Sequence, residues 1–299
     1  MSDFLKTFLR DRFEDEARPR ECFGIFGKHP GWDDHIEDLP LPTSSMAMAK
    51  QLLYVQGIGS QISSGAWTRL TPETRLANFN HAFLWLRGSQ FLVGRMWGSS
   101  DGKKRAHFPM VALFHGIALA PAGAVDSMLV RLEKVCADCR AARSAEQVRK
   151  VISQVSNAEP VLGGTDGKPS TLEVTRGTIA KLGRDLHGNL PPRCRLGADA
   201  ADSRRGLRFW SHVCSSLAPV DTPLLFIAAI GEPWIDVLAR EPAQGQFFCL
   251  RAAPPALPLT YAPELEETAE EIDAQDLVKT ALGGKGAPGW SWISRIFGQ

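Results

Sequence analysis

Two carboxylates stand between two histidines in Lys28-His29-Pro30-Gly31-Trp32-Asp33-Asp34-His35. Aspartate and imidazole are ligand types for zinc and related ions, and both side chains also serve as general acids and bases. With His107 added, Asp33, Asp34, His29 and His35 would make a metal-dependent hydrolase if the two segments converged on one ion, with ligand atoms at about 2 Å. The spacing matches no motif with a known mechanism. A turn aspartate accepting a backbone N–H is the plainer alternative. Lys28 follows a glycine, yet Gly24-Ile25-Phe26-Gly27-Lys28-His29 lacks the spacing and the hydroxyl of a phosphate-cradling loop. Cys136-Ala137-Asp138-Cys139 has redox or zinc spacing, but no second pair completes a four-cysteine site, and the pair falls within a helical pattern as small apolar residues. No Gly-x-Ser-x-Gly elbow is present, and Ser99-Ser100-Asp101-Gly102 reads as a turn. These residues supply no complete catalytic set and no cofactor loop, so no cofactor is expected.

The elements around these residues follow from periodicity. Residues 22–27 read as a strand that ends in the Gly27-Lys28 turn. Residues 44–57 predict a helix with a serine cap and a glycine stop, and residues 71–79 a second short helix. Residues 82–86 and 90–97 predict two strands around Arg87-Gly88-Ser89. Ser99 to Arg105 is a polar loop, and residues 108–119 are the next strand. Helices are expected over about 124–142 and 145–155, a loop over 156–170, and either strand or helix over 171–184. Residues 208–215 and 223–230 read as a strand pair, 233–239 as a short helix and 246–250 as a last strand. The fold expected is α/β: a mostly antiparallel central sheet with helices packed on it, in a single main domain over 20–252.

Composition narrows the function classes. The chain has 299 residues, 44% apolar and 22% charged, with a net charge of +1, so no global field favours nucleic acid or a membrane surface. The arginines at 193, 195, 204, 205 and 208 lack the interleaved aromatics of single-strand binders and read as a solvated loop answering an acidic helical segment at 264–276. Six scattered cysteines suggest a reducing compartment rather than a disulfide framework. Met1 to Arg20 has no apolar stretch of a secretory signal, and Pro223–Ile230 is too short to span a bilayer. A cytoplasmic protein with no membrane span and no nucleic-acid partner is expected.

The ends differ from the middle. Residues 1–19 form an amphipathic arm, with Phe4, Leu5, Phe8, Leu9 and Phe13 near one helical face. Residues 253–299 hold a Pro/Gly linker, the acidic helix and a tail in which Trp290, Trp292, Ile296 and Phe297 suit an amphipathic docking segment. That tail either docks on a partner or folds back on the domain.

Phe26-Gly27-Lys28-x-Pro30 followed by Asp34 resembles the Phe-Gly-Lys-x-Pro-x-x-Gly-Asp-Phe signature of TagF-type proteins, which are associated with the type VI secretion system. The family's Ser-x-Asp-x-x-Gly-Arg-type loop and Phe-Pro-Leu strand start resemble Ser99 to Arg105 and Phe108-Pro109-Met110. The family glycine is Asp33 here and its phenylalanine is His35. The resemblance implies a cytoplasmic accessory protein that represses type VI secretion post-translationally, through contacts with a forkhead-associated scaffold protein. On this reading Lys28, His29, Pro30, Asp33, Asp34 and His35 form a contact surface with Lys103, Lys104 and Arg105, and Lys28 pairs with Asp34 to hold it in shape. Alanine at both Lys28 and Asp34 is then expected to abolish partner capture and leave the fold intact. Two alternatives stay open: the metal-dependent hydrolase, and a tail that carries the affinity while the domain is its carrier.

Overall fold

The computed structural model describes residues 21–117, 122–156, 171–174, 185, 191–219, 221–260, 270–273 and 278. Its centre is a 7-stranded sheet in the order β1-β4-β3-β2-β7-β8-β6. The strands are β1 (Glu21–Gly27), β2 (Asn80–Arg87), β3 (Gln90–Gly98), β4 (Pro109–Ile117), β6 (Arg193–Gly197), β7 (Leu224–Ala229) and β8 (Trp234–Ala239). Every neighbouring pair runs antiparallel. A separate 2-stranded sheet pairs β5 (Thr171–Val174) with β9 (Glu270–Asp273). The architecture is the expected antiparallel α/β domain.

Both sheet faces are covered. On one, α3 (Ala122–Ala141), α4 (Ala145–Ser156) and α5 (Ser203–Leu217) pack Leu132, Val148 and Trp210 against Ile25, Leu84, Phe114 and Phe226. On the other, a helical rod and a 3-10 turn (Gln244–Leu250) pack Tyr54, Ile58 and Phe247 against Phe26, Phe83, Leu113 and Ile227. Alternate residues of each strand thus enter opposite cores, as a pleated strand requires. Among the described residues no helix is long and apolar enough to cross a membrane.

The rod departs from the expected 44–57 helix. Thr43, not a serine, caps it, its hydroxyl accepting from the Met46 N–H at 3.3 Å. The rod runs through α1 (Ser44–Ala49), a π-helix (Lys50–Ile58) and α2 (Gly59–Ser63). Gly57 does not stop it. There the missing side chain makes room for the Phe247 ring, whose Cδ2 would lie 2.5 Å from a Cβ at that position.

Five other expectations are corrected. Residues 71–79 form a turn, not a helix, because their backbone pairs with residues 251–253: Leu76 N–H donates to Arg251 O and Ala253 N–H to Thr74 O, both at 2.8 Å. Residues 208–215 belong to helix α5, where Leu207, Trp210, Cys214 and Leu217 fall at helical spacing behind the Asp202 cap. Residues 234–239 form β8 rather than a helix, and every one of them is buried, so no period-2 alternation marks the strand. The last expected strand, at 246–250, is the 3-10 turn. In the acidic segment read as a helix, residues 270–273 are β9. The 1–19 arm, the 156–170 loop beyond Ser156 and the tail at Trp290, Trp292, Ile296 and Phe297 lie outside the described residues.

The arginine stretch is not one solvated loop. Arg195 is 1% exposed and lies on β6. Its Nε and Nη2 donate to the two oxygens of Asp236 at 2.9 and 2.7 Å. Nη1 donates to Ala252 O and Leu257 O, and Nη2 also to Cys249 O. Thr260 N–H donates to Arg195 O at 2.9 Å. The segment read as a proline linker beyond residue 252 is therefore held on the domain through Thr260.

Candidate functional site

Register decides which loops meet. Gly27 at the end of β1 pairs with Met110 at the start of β4, and Pro109 pairs with Gly98 at the end of β3. The loop after β1 and the loop before β4 therefore leave the same end of the sheet. Gly27 has φ 115°, a left-handed conformation, and a Cβ there would run into the Pro109 carbonyl oxygen. Lys28 N–H donates to that same oxygen at 3.2 Å. Ile36 N–H returns to Gly27 O at 2.8 Å and closes the loop.

Lys28 and Asp101 join the two loops. The ammonium lies 2.6 Å from Asp101 Oδ2, with side chains 5% and 0% exposed. Asp101 Oδ1 accepts from the Lys103 and Arg105 backbone N–H groups at 3.0 and 2.9 Å, and Oδ2 also accepts from Arg105 Nε at 2.7 Å. Burial works against the Asp101 charge, but the Lys28 bond, then the backbone and side-chain bonds of Arg105, hold its carboxyl well below the usual range. Gly102 N–H donates to Trp32 O at 2.7 Å and adds a backbone tie.

The network opens outward from this pair. Arg105 donates from Nη2 to Asp33 O at 2.8 Å and lies 3.2 Å from Asp34 Oδ2. Asp34 Oδ1 is 3.5 Å from the Lys28 ammonium and 2.9 Å from His35 Nδ1. Desolvation opposes the Asp34 charge, yet Arg105, then Lys28 and His35, hold its carboxyl below the ordinary value. Desolvation, then the Lys28 charge, lowers the His35 pKa despite Asp34. His35 stands edge-on to Tyr54 and Phe108, with ring centroids 5.6 and 5.0 Å away. Tyr54 comes from the π-helical part of the rod, a distortion often found at functional positions. Its buried hydroxyl has no hydrogen-bond partner among the described residues, and burial, then Asp34, pushes its pKa up.

His29 faces the other way. It is 2% exposed. Gly31 N–H donates to Nδ1 at 3.0 Å, so Nδ1 carries the lone pair and Nε2–H donates to Cys139 O, also at 3.0 Å. The neutral ring thus satisfies a carbonyl in the last turn of α3. Burial lowers its pKa, in keeping with that role. Trp32 Nε1 donates to Asp38 Oδ1 at 2.7 Å, and Arg149 of α4 stacks over the Trp32 ring and pairs with Asp38. The loop after β1 is docked on the α3–α4 junction.

The structure brings Lys28, Asp33, Asp34, His35 and Arg105 together, with Lys103 and Lys104 on the same exposed loop. Pro30, Asp33, Asp34, Lys103, Lys104 and Arg105 are exposed, and His35 is half-buried. His29 and Lys28 are buried, so neither offers a side chain to a partner. Alanine at Lys28 would leave Asp101 without its ammonium, so the expected Lys28/Asp34 double replacement disturbs the loops along with the surface. Asp101, the hub, was passed over as a turn residue. The available signal was its place in the Ser-x-Asp pattern of the loop at 99–105.

Among the described residues no group of three or more His, Cys, Asp or Glu side chains is placed to hold a metal ion. Asp34 already faces Lys28 and Arg105, and His29 is turned into the domain. Cys136 and Cys139 are free, buried thiols, and burial pushes Cys139 up to about 12, which makes a thiolate ligand or nucleophile costly there.

No family model matches the chain, and no curated protein matches it. Among solved structures it is similar to a crystal structure of PA0076 from Pseudomonas aeruginosa PAO1, at 19% identity and a TM-score of 0.34. That alignment covers 46% of this chain and 64% of the other, so the chain spans under two thirds of that protein's length.

Proposed function

We propose that the chain is a non-enzymatic, cytoplasmic accessory protein of the type VI secretion system. It regulates assembly or activity post-translationally, as a repressor, through protein contacts, and a forkhead-associated scaffold protein is among the partners. The observation that carries this reading is the buried Lys28–Asp101 ion pair. It ties the two segments that carry the TagF-type resemblance, at 26–34 and 99–110, into one rigid loop cluster. The chemistry of that cluster favours contact over catalysis. Asp101 is saturated with donors, Asp34 faces the Arg105 and Lys28 cations with His35 beside it, and His29 serves a helix end. What faces solvent is a compact set of opposite charges on a fixed backbone, suited to fixing the register and choice of a partner.

The test is affinity capture of the tagged full chain from its native cells, with co-purifying proteins identified by mass spectrometry. Secretion-apparatus or forkhead-associated components are expected with the unaltered chain. They are expected to be lost with Lys103→Glu/Lys104→Glu, two exposed changes that keep the Lys28–Asp101 pair. Capture of none of these components, or equal capture by the variant, contradicts the proposal.

A further inference from the structure

A polar cleft of about 510 Å³ opens at the same end of the sheet, between the start of β2, the end of β3 and the last turn of α3. Arg140 and Arg251 line it together with Asn78, Ser99 and Ser100. Arg95, Arg131, Arg195 and Arg208 each face a carboxylate. Arg140 and Arg251 form no ion pair among the described residues.

Arg251 is also held in place. Its Nε donates to Leu76 O at 2.9 Å and its Nη2 to Ala77 O at 3.1 Å, while its face lies 5.1 Å from the Phe79 ring centroid. Nη1 is left without a hydrogen bond among the described residues. The guanidinium therefore keeps its orientation whether or not a ligand is near, which lowers the ordering cost of binding. Burial, and after it the charge of Arg75, disfavours the Arg251 cation. An anion in the cleft offsets both effects. The side chains of Asn78, Ser99 and Ser100 form no hydrogen bond among the described residues and add neutral donors around the two guanidinia.

We infer that this cleft binds a phosphate-bearing small molecule, with the phosphate held between Arg140 and Arg251. Two guanidinia and several neutral donors exceed what one carboxylate can accept, and match a dianion with three terminal oxygens. The volume lies within the range of small-molecule sites, so it accommodates the group that bears the phosphate as well. None of the exposed charges at 33–35 and 103–105 lines the cleft, although Ser99, Ser100 and Ala106 flank their loop.

Isothermal titration of the full chain with inorganic phosphate and with phenyl phosphate tests this, with acetate as the carboxylate comparison. Saturable binding with one site per chain is expected for both phosphates, tighter for phenyl phosphate, and weaker for acetate by at least about tenfold. Arg140→Gln should weaken phosphate binding by at least about tenfold while unfolding like the unaltered chain, because Arg140 is exposed. Lys150→Gln, an exposed change on α4, should bind as before. No saturable phosphate binding up to about 10 mM, or binding unchanged by Arg140→Gln, overturns the site. Acetate binding as well as phosphate overturns the ligand class.

Discussion

Two buried ion pairs organise this domain, and they close off differently. Arg195–Asp236 is sealed. All five guanidinium N–H groups have acceptors, the carboxylate is engaged at both oxygens, and the Trp234 ring lies 4.8 Å from the guanidinium carbon. Lys28–Asp101 is open. Its ammonium reaches outward to Asp34, and its carboxylate hands on to Arg105, whose side chain is 45% exposed. The first pair pins β6, β8 and the chain beyond residue 252, and has no group left for anything else. The second fixes two loops and carries their charges to the surface. A buried ion pair is thus not by itself evidence of a site. What separates the two is whether the network ends inside the protein or at solvent.

The largest expected effect comes from breaking the sealed pair. Arg195→Met leaves the Asp236 carboxylate buried without its partner and should cost about 3–5 kcal/mol in urea unfolding, whereas Arg195→Met/Asp236→Leu should recover most of that. A single variant as stable as the unaltered chain would show that the pair does not pin this edge. Lys28→Met should cost less, because Asp101 keeps Arg105 and two backbone donors. It should also speed amide exchange at residues 101–105 without affecting β6 and β8. Equal loosening of both regions would erase the distinction.

Acid sharpens the comparison further. Asp101 and Asp34 are held below the ordinary carboxylate value, so between that value and their folded values the unfolded chain binds more protons and stability rises with pH. Their contribution is complete above about pH 4 and is lost as pH falls below it. Burial pushes Asp236 the other way, against the bonds from Arg195. Asp101→Asn should therefore flatten the acid limb of the stability curve, and Asp236→Asn should not. An acid limb unchanged in Asp101→Asn would remove Asp101 from that role. The smallest effect is at Lys104, which has φ 62° on an exposed loop. Lys104→Gly should leave stability unchanged or raise it by up to about 1 kcal/mol, and a measurable loss would mean that its side chain supports the loop.

Much of the frame was legible in the sequence. Turn chemistry at Gly27-Lys28 and Gly88, the polar loop at 99–105 and the helical spacing of Met128, Leu132 and Val135 each marked their elements. Strand β7 was read as a strand, but β8 was harder, because both sheet faces are covered and an all-buried strand carries no alternation, and the 208–215 part of helix α5 was read as a strand. Arg195 was unreadable for a related reason: nothing local tells a buried arginine with a distant carboxylate from one in a solvated stretch. The loop cluster was half visible. Residues 28–35 and 103–105 stood out by charge, but the aspartate that joins them lies 73 positions from Lys28 and was legible only through register. His29 was misplaced because its partner is a backbone carbonyl on a helix 110 positions away, which no spacing rule reveals.

The most direct test of the contact surface is a quantitative binding comparison. Capture of the proposed secretion-system partner by the full chain, by Lys103→Glu/Lys104→Glu and by Lys150→Glu would be measured alongside the thermal unfolding of each. A contact surface at the open network predicts that the first variant loses capture, the second retains it, and all three unfold alike. Equal capture by all three would contradict it.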